Sequence, residues 1–162
     1  PNAGTNGHVY AMVAVGSDLY VGGFFESTGD YIKELRYIAR YNIASKTWHA
    51  LPNKGLDHHT QALEIVGDDL YVAGSFSATG DNSLTDLGFI ARYDMTTKSW
   101  HSLPNKGVGS YSLWALERMG SDLYVGGNIN QTGEGTLTDL GGIVRLSLDV
   151  QNWRYLPLVV KR

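Results

Sequence analysis

One block of eight residues occurs three times in this chain and limits it to a repeat architecture. It spans 16–23, 67–74 and 120–127, and each copy reads Gly-(Ser or Asp)-Asp-Leu-Tyr-Val-(Gly or Ala)-Gly. A Thr-Gly pair, an Ile-(Ala or Val)-Arg element and a Trp three residues before Leu-Pro follow each copy in the same order. The period is about 52 residues. We therefore expect three units over 1–55, 56–107 and 108–162, with no second domain.

Each unit has the pattern of four short β-strands. In the second unit, β-branched and aromatic residues cluster over 61–66, 69–76, 89–94 and 99–103, separated by turn residues at hairpin spacing. The segment 113–119 comes closest to a helical pattern, but its equivalents 9–12 and 60–63 favour an inner strand with a small Ala at a crowded position. The sequence predicts an all-β chain of three four-stranded antiparallel meanders.

These motifs resemble the kelch repeat. The second unit carries the resemblance best, with Leu70-Tyr71-Val72-Ala73-Gly74, Arg92-Tyr93-Asp94 and Trp100. Ala73, Asn42 and the Leu146-Ser147 pair depart from the kelch pattern. The resemblance implies β-propeller blades whose first strands are innermost. A looser likeness to propeller repeats of large secreted or surface proteins implies an extracellular or cell-surface location.

Composition argues against several classes of function. The net charge is −3 and there is no run of Lys or Arg, which disfavours nucleic acid as a partner. No stretch has the roughly 20 apolar residues of a membrane span. Cysteine is absent, whereas copper oxidases with a kelch-like wheel depend on one. No catalytic or phosphate-binding motif is found, so we expect no enzyme, no cofactor and no metal.

The repeated residues are interpreted as structural. The glycines after Leu-Tyr-Val should let backbones approach closely, and the equivalent Trp48, Trp100 and Trp153 should be buried between blades. The recurring arginines, Arg40, Arg92 and Arg145, are expected to form an ion pair or a contact with a carbonyl group between blades. The pair His58-His59 is interpreted as part of a solvated loop.

Candidate binding residues are sought where the units differ, on connections that should share one face. These connections are 26–36, 81–86 and 131–139, with the joining segments 2–8, 53–60 and 105–111. Tyr31, Tyr111 and Trp114 are the candidate stacking groups. The candidate polar contacts are Asp81, Asn82, Asp86, Glu134 and Asp139.

These features favour a non-catalytic binding module whose loop surface docks a protein or a glycan. The alternative is a structural or assembly segment of a larger cell-surface or filament protein. Because propellers close with about 4–8 blades, three blades should be completed by a homodimer with six blades or by more blades in a longer chain. Of these two possibilities, Pro1 and the terminal Lys161-Arg162 favour the longer chain.

Overall fold

A computed structural model of the chain describes residues 4–31, 34–148 and 155–157. The described residues form three four-stranded antiparallel sheets, each a meander in chain order. The first sheet contains β1 (His8–Val15), β2 (Asp18–Phe24), β3 (Ile38–Asn42) and β4 (Thr47–Ala50). The second contains β5 (Thr60–Val66), β6 (Asp69–Gly74), β7 (Ile90–Asp94) and β8 (Ser99–Ser102). The third contains β9 (Val108–Met119), β10 (Asp122–Thr132), β11 (Ile143–Ser147) and β12 (Tyr155–Pro157).

The predicted all-β architecture is confirmed, and the strands of the second sheet end within two residues of their expected positions. Each first hairpin turns at a glycine with positive φ, 57° at Gly16, 61° at Gly67 and 62° at Gly120. The segment 113–119 is part of β9, so the strand interpretation is confirmed there too. Two short 3-10 turns, Pro52–Lys54 and Pro104–Lys106, follow the first and second sheets. No helix of the described residues has the length and apolar character needed to cross a bilayer.

Successive sheets pack face to face through equivalent residues. Leu70, Val72 and Ala91 of the second sheet lie in one buried cluster with Tyr20 and Ile38 of the first. The next interface repeats this arrangement: the third sheet contributes Leu123, Val125 and Val144, and the second contributes Tyr71, Ala73 and Ile90. The same interface is therefore used twice along the chain, which is how stacked repeats obtain a continuous core.

The glycine that ends each repeated block lies against the first strand of its own sheet. A Cβ atom on Gly23 would fall 2.0 Å from the carbonyl oxygen of His8, and one on Gly74 would fall 2.2 Å from that of His59. The matching distance at Gly127 is 2.5 Å, to the carbonyl oxygen of Ser112. No side chain fits at these distances, so the predicted close approach of backbones is confirmed.

The recurring arginines pair within their own sheets. Arg40 lies 2.9 Å from the carboxylate of Asp18, and Arg92 lies 2.9 Å from that of Asp69. Arg145 and Asp122 are 3.4 Å apart. The expectation of an ion pair between blades is therefore wrong. In each sheet the Asp and the Arg are diagonal neighbours on adjacent strands, so the ion pair forms across the strands of one sheet.

The repeated tryptophans occupy equivalent buried positions where they are described. Trp48 stacks obliquely on Tyr41 and Trp100 on Tyr93, with ring centroids 4.9 and 5.0 Å apart. Burial of Trp48 and Trp100 is confirmed, and Trp153 lies outside the described residues. The Trp100 indole also donates a hydrogen bond of 3.1 Å to the carbonyl oxygen of Pro52, which follows the first sheet.

Replacing Trp100 with Ala should destabilise the fold because it empties a buried site at the interface of the first two sheets. We expect a loss of about 3–5 kcal/mol in the free energy of unfolding, measured by urea denaturation. Trp114→Ala is the matched control, because Trp114 is 59% exposed and its removal should change the value by less than about 0.5 kcal/mol. An unfolding midpoint that is the same for Trp100→Ala and the wild type would contradict this packing role.

Candidate functional site

The connections between the second and third strands lie beside the segments that lead into the sheets. Thr5 forms a β-bridge with Thr28, and Leu56 forms one with Thr79. In the third sheet, the backbone N–H of Glu134 donates a 3.0 Å hydrogen bond to the carbonyl oxygen of Asn105. We call this side of the molecule the loop edge. It comprises the connections 25–31, 34–37, 75–89 and 133–142 and the lead-in segments 4–7, 51–59 and 103–107.

The predicted binding residues are all exposed, and they lie on separate parts of the chain. The exposed aromatic residues are Tyr31 on the first connection and Tyr111 and Trp114 on β9. Glu134 and Asp139 belong to the connection of the third sheet. The structure brings Asn82 and Asp86 together, since both line a groove of about 350 Å³ that also includes Lys106. The predicted role of these residues in binding remains a prediction.

Two of the predicted polar contacts are engaged in holding the loop edge itself. Asp81 accepts hydrogen bonds from Ser83 at 2.6 Å, from Thr79 at 2.9 Å and from Asn53 at 3.2 Å. The hydrogen bonds from Ser83, followed by those from Thr79 and Asn53, hold the pKa of the Asp81 carboxyl far below its usual range. Asp86 forms an ion pair of 3.1 Å with Lys106.

Aromatic and imidazole rings form a second, connected group at the loop edge. We call it the aromatic cluster. Its members are His8, Tyr10, Phe24, Tyr37, His58 and His59. Tyr10 is 51% exposed and Phe24 is 49% exposed, so a large aromatic surface faces solvent here. Exposed aromatic surface concentrated in one place is typical of recognition sites.

Hydrogen bonds of the backbone and of the hydroxyl group fix Tyr37, whose ring stacks beside that of Phe24 in the cluster. Tyr37 adopts a left-handed backbone conformation with φ 65°, as does its equivalent Phe89 with φ 63°. The backbone N–H of Tyr37 donates to the carbonyl oxygen of Phe25 at 2.8 Å, and the matching bond from Phe89 goes to Phe76. The Tyr37 hydroxyl then donates a hydrogen bond of 2.9 Å to Glu26. Tyr37 is therefore held in a single orientation beside Phe24.

The interpretation of His58-His59 as a solvated loop is wrong for His59. Its ring meets Phe24 edge-on, with the centroids 5.7 Å apart, and lies 4.2 Å from the ring of His58. The Nδ1 atom of His59 is buried and has no hydrogen-bond partner. Burial, followed by the nearby His58, lowers the pKa of His59 below its usual 6.5, so the neutral imidazole is favoured.

Each first strand carries a bulge at the same place. The register shifts around Tyr10 in β1, around Gln61 in β5 and around Trp114 in β9. A bulge leaves one residue unpaired and re-aims its side chain, and bulges are frequent beside functional sites. Gln61 accepts a hydrogen bond of 2.6 Å from Ser112, whereas Tyr10 and Trp114 are exposed. The repeated bulge therefore presents two aromatic rings to solvent.

Sequence reasoning missed the cluster, although a signal was present. Phe24 directly follows the glycine that ends the repeated block, and Ser75 and Asn128 hold that place in the other units. The difference between an aromatic residue in the first unit and polar residues in the other two lies at a strand end and not on a connecting loop.

Comparisons with known proteins give distant relatives. No protein-family model matches the chain. Over 113 residues, or 65% of the chain, it is 31% identical to polarized growth protein rax2 of Schizosaccharomyces pombe, and the match covers 10% of that protein. A polarized growth protein of a Phoma species is 37% identical over 89 residues, which are 54% of the chain and 6% of the relative. An F-box/kelch-repeat protein of Arabidopsis thaliana is 28% identical over 60% of the chain and 34% of its own length.

Solved structures share the fold at low sequence identity. The computationally designed Ika8 protein superimposes on 94% of this chain with a TM-score of 0.54, over 38% of its own length and at 13% identity. The designed Ika4 protein matches 97% of both chains with a TM-score of 0.50, also at 13% identity. At this identity the likeness concerns the fold alone.

Proposed function

We propose that this chain is a non-catalytic binding module, built as three blades of a kelch-like β-propeller, which docks a protein or a glycan on exposed aromatic residues of the strands beside its loop edge. The exposed aromatic surface of Tyr10, Phe24, Tyr111 and Trp114 carries this proposal. Large rigid aromatic rings supply contact area at a small cost in conformational entropy, which is why they dominate recognition surfaces.

The repeated residues have structural roles within and between the sheets, and the exposed residues of the proposed binding surface are not among them. The buried Leu, Val, Ala and Ile positions are filled by the interfaces between sheets, and the recurring Asp-Arg pairs are satisfied within each sheet. At the loop edge, Asp81 is engaged by its own loop and Asp86 by Lys106. These carboxylates have structural partners, which supports a binding role without a chemical step.

The relatives suggest where such a module acts. Two of them are named polarized growth proteins. We therefore propose an extracellular or cell-surface location and a part in polarised growth. The likeness to an F-box/kelch-repeat protein supports the kelch-like interpretation of the three sheets.

A second candidate function is assembly, and one comparison between equivalent residues favours it. Ile38 and Ile90 are 0% exposed because the next sheet covers them, whereas Ile143 at the same position of the third sheet is 47% exposed. Among the described residues, Ile143 on the far face of the third sheet is thus an interface residue that no further sheet covers. A second copy of the chain or a further repeat would cover it and extend the wheel.

The binding proposal is tested by replacing both Tyr111 and Trp114 with Ala. We expect affinity for the bound protein or glycan to fall at least about tenfold, because exposed aromatic anchors carry much of the binding energy. Glycan arrays and affinity capture with the purified chain measure this. Met119→Ala is the control, since Met119 is 67% exposed on the same strand. Equal binding by the double variant and the wild type would contradict the proposal.

The assembly candidate is tested by Ile143→Asp, which places a charge on the uncovered sheet face. We expect the wild-type chain to associate with itself and the variant to shift toward the monomer, as measured by analytical ultracentrifugation. Ile43→Asp is a matched control, because Ile43 is 52% exposed in the turn after β3 and outside the sheet face. A wild-type chain that stays a monomer of 17.7 kDa at all concentrations would count against self-assembly.

A further inference from the structure

Phe24 is a half-exposed ring that its neighbours hold in place. The ring of Tyr37 stacks beside it, with centroids 6.1 Å apart and an interplanar angle of 25°, and His59 meets its edge. The equivalent residues are Ser75 and Asn128, so the frame of a sheet does not require an aromatic residue here. Phe24 is exposed together with the neighbouring ring of Tyr10, and a contiguous exposed aromatic patch of this kind is typical of an interaction site.

A small groove opens beside this ring. Its volume is about 260 Å³, and Phe24, Tyr37, His8, Asn6 and Glu26 are among the residues that line it. Pockets for drug-sized ligands run from about 300 to 1,000 Å³. The groove therefore accommodates a group of about the size of one ring.

Polar groups lie directly beside the aromatic surface and are fixed by the backbone. Asn6 accepts hydrogen bonds from the backbone N–H groups of Glu26 and Ser27 at 3.0 and 3.1 Å, which holds the lead-in segment against the connection. The Glu26 carboxylate accepts the hydrogen bond from the Tyr37 hydroxyl on the exposed side of the molecule. A carboxylate has room for further donors after accepting one hydrogen bond.

We propose that this groove binds one pyranose ring of a neutral carbohydrate, which stacks on Phe24 and donates hydroxyl hydrogen bonds to Glu26. The inference rests on the proposed function and names its ligand class. The C–H groups on one face of a pyranose carry a small positive charge and pack on the negative face of an aromatic ring. The hydroxyl groups around the edge of the sugar supply the donors that a carboxylate accepts.

A carbohydrate fits the groove better than the other ligands that could cover Phe24. An apolar side chain of a protein would cover the ring but would desolvate the Glu26 carboxylate without adding a donor to the Tyr37 hydroxyl, which costs binding energy. Among the described residues that line the groove there is no Lys or Arg to pair with an acidic sugar. His59, which borders it, favours the neutral imidazole because burial and His58 lower its pKa.

The test uses the whole chain with glucose, mannose, N-acetylglucosamine and their short β-linked oligomers as probes. Saturation-transfer NMR should show the strongest transfer to the C–H protons on one face of the sugar. Phe24→Ser, which installs the residue of the second unit, should weaken binding at least about tenfold in a titration. Glu26→Gln keeps the size of the side chain and removes its charge, and it should also weaken binding. Ile43→Ser, an exposed change in the turn after β3 and outside the groove, should leave the affinity unchanged.

The outcomes separate this inference from the proposed function. No transfer to any of these sugars, or binding that survives both Phe24→Ser and Glu26→Gln, would overturn the carbohydrate site. If the chain instead binds a protein through Tyr111 and Trp114, the binding module stands and the carbohydrate ligand is wrong. If the chain binds neither the sugars nor a protein, both fail. A thermal unfolding curve for Phe24→Ser that matches the wild type excludes misfolding as the cause of lost binding.

Discussion

The packing of one sheet on the next, through residues that recur in every unit, is the interaction on which the rest of this structure depends. Leu70, Val72 and Ala91 cover Tyr20 and Ile38, and their equivalents form the second interface in the same way. A single four-stranded sheet has no partner for its apolar face, so each unit is stable only when another unit covers it. This requirement accounts for the Leu-Tyr-Val block of the units and for the buried Trp100.

Residues that are not needed for this packing are free to differ between units, and the residues of the proposed binding surface are among them. The place after the closing glycine shows the principle: Phe24 in the first unit, Ser75 in the second and Asn128 in the third. The same applies at the bulge, where Tyr10 and Trp114 are exposed but the equivalent Gln61 is hydrogen-bonded across the sheet interface. The residues that pack the sheets and the residues of the proposed recognition surface thus occupy different positions of the same repeat.

The sequence was sufficient to predict the three meanders, because the residue pattern that indicates each strand occurs three times in the chain. It was less informative about which groups meet in space. The arginines were expected to reach the next sheet, yet the diagonal Asp-Arg neighbours pair within one sheet. His59 was expected to be solvated, but in the fold its ring packs edge-on against the ring of Phe24. Both contacts join residues about 20 or more positions apart in the chain, and the spacing of residue types alone does not contain them.

The central claim is that the aromatic cluster lies on the packed sheets and that the stability of the fold does not depend on it. The most direct measurement is the free energy of unfolding of a triple variant, Tyr10→Gln, Phe24→Ser and Tyr37→Phe, which gives the first unit the residues of the second. The account predicts a value within about 1 kcal/mol of the wild type, because Tyr10 and Phe24 are exposed and Tyr37→Phe removes only a hydroxyl group whose hydrogen bond is exposed. A loss of more than about 3 kcal/mol would contradict it, because the cluster would then be core packing.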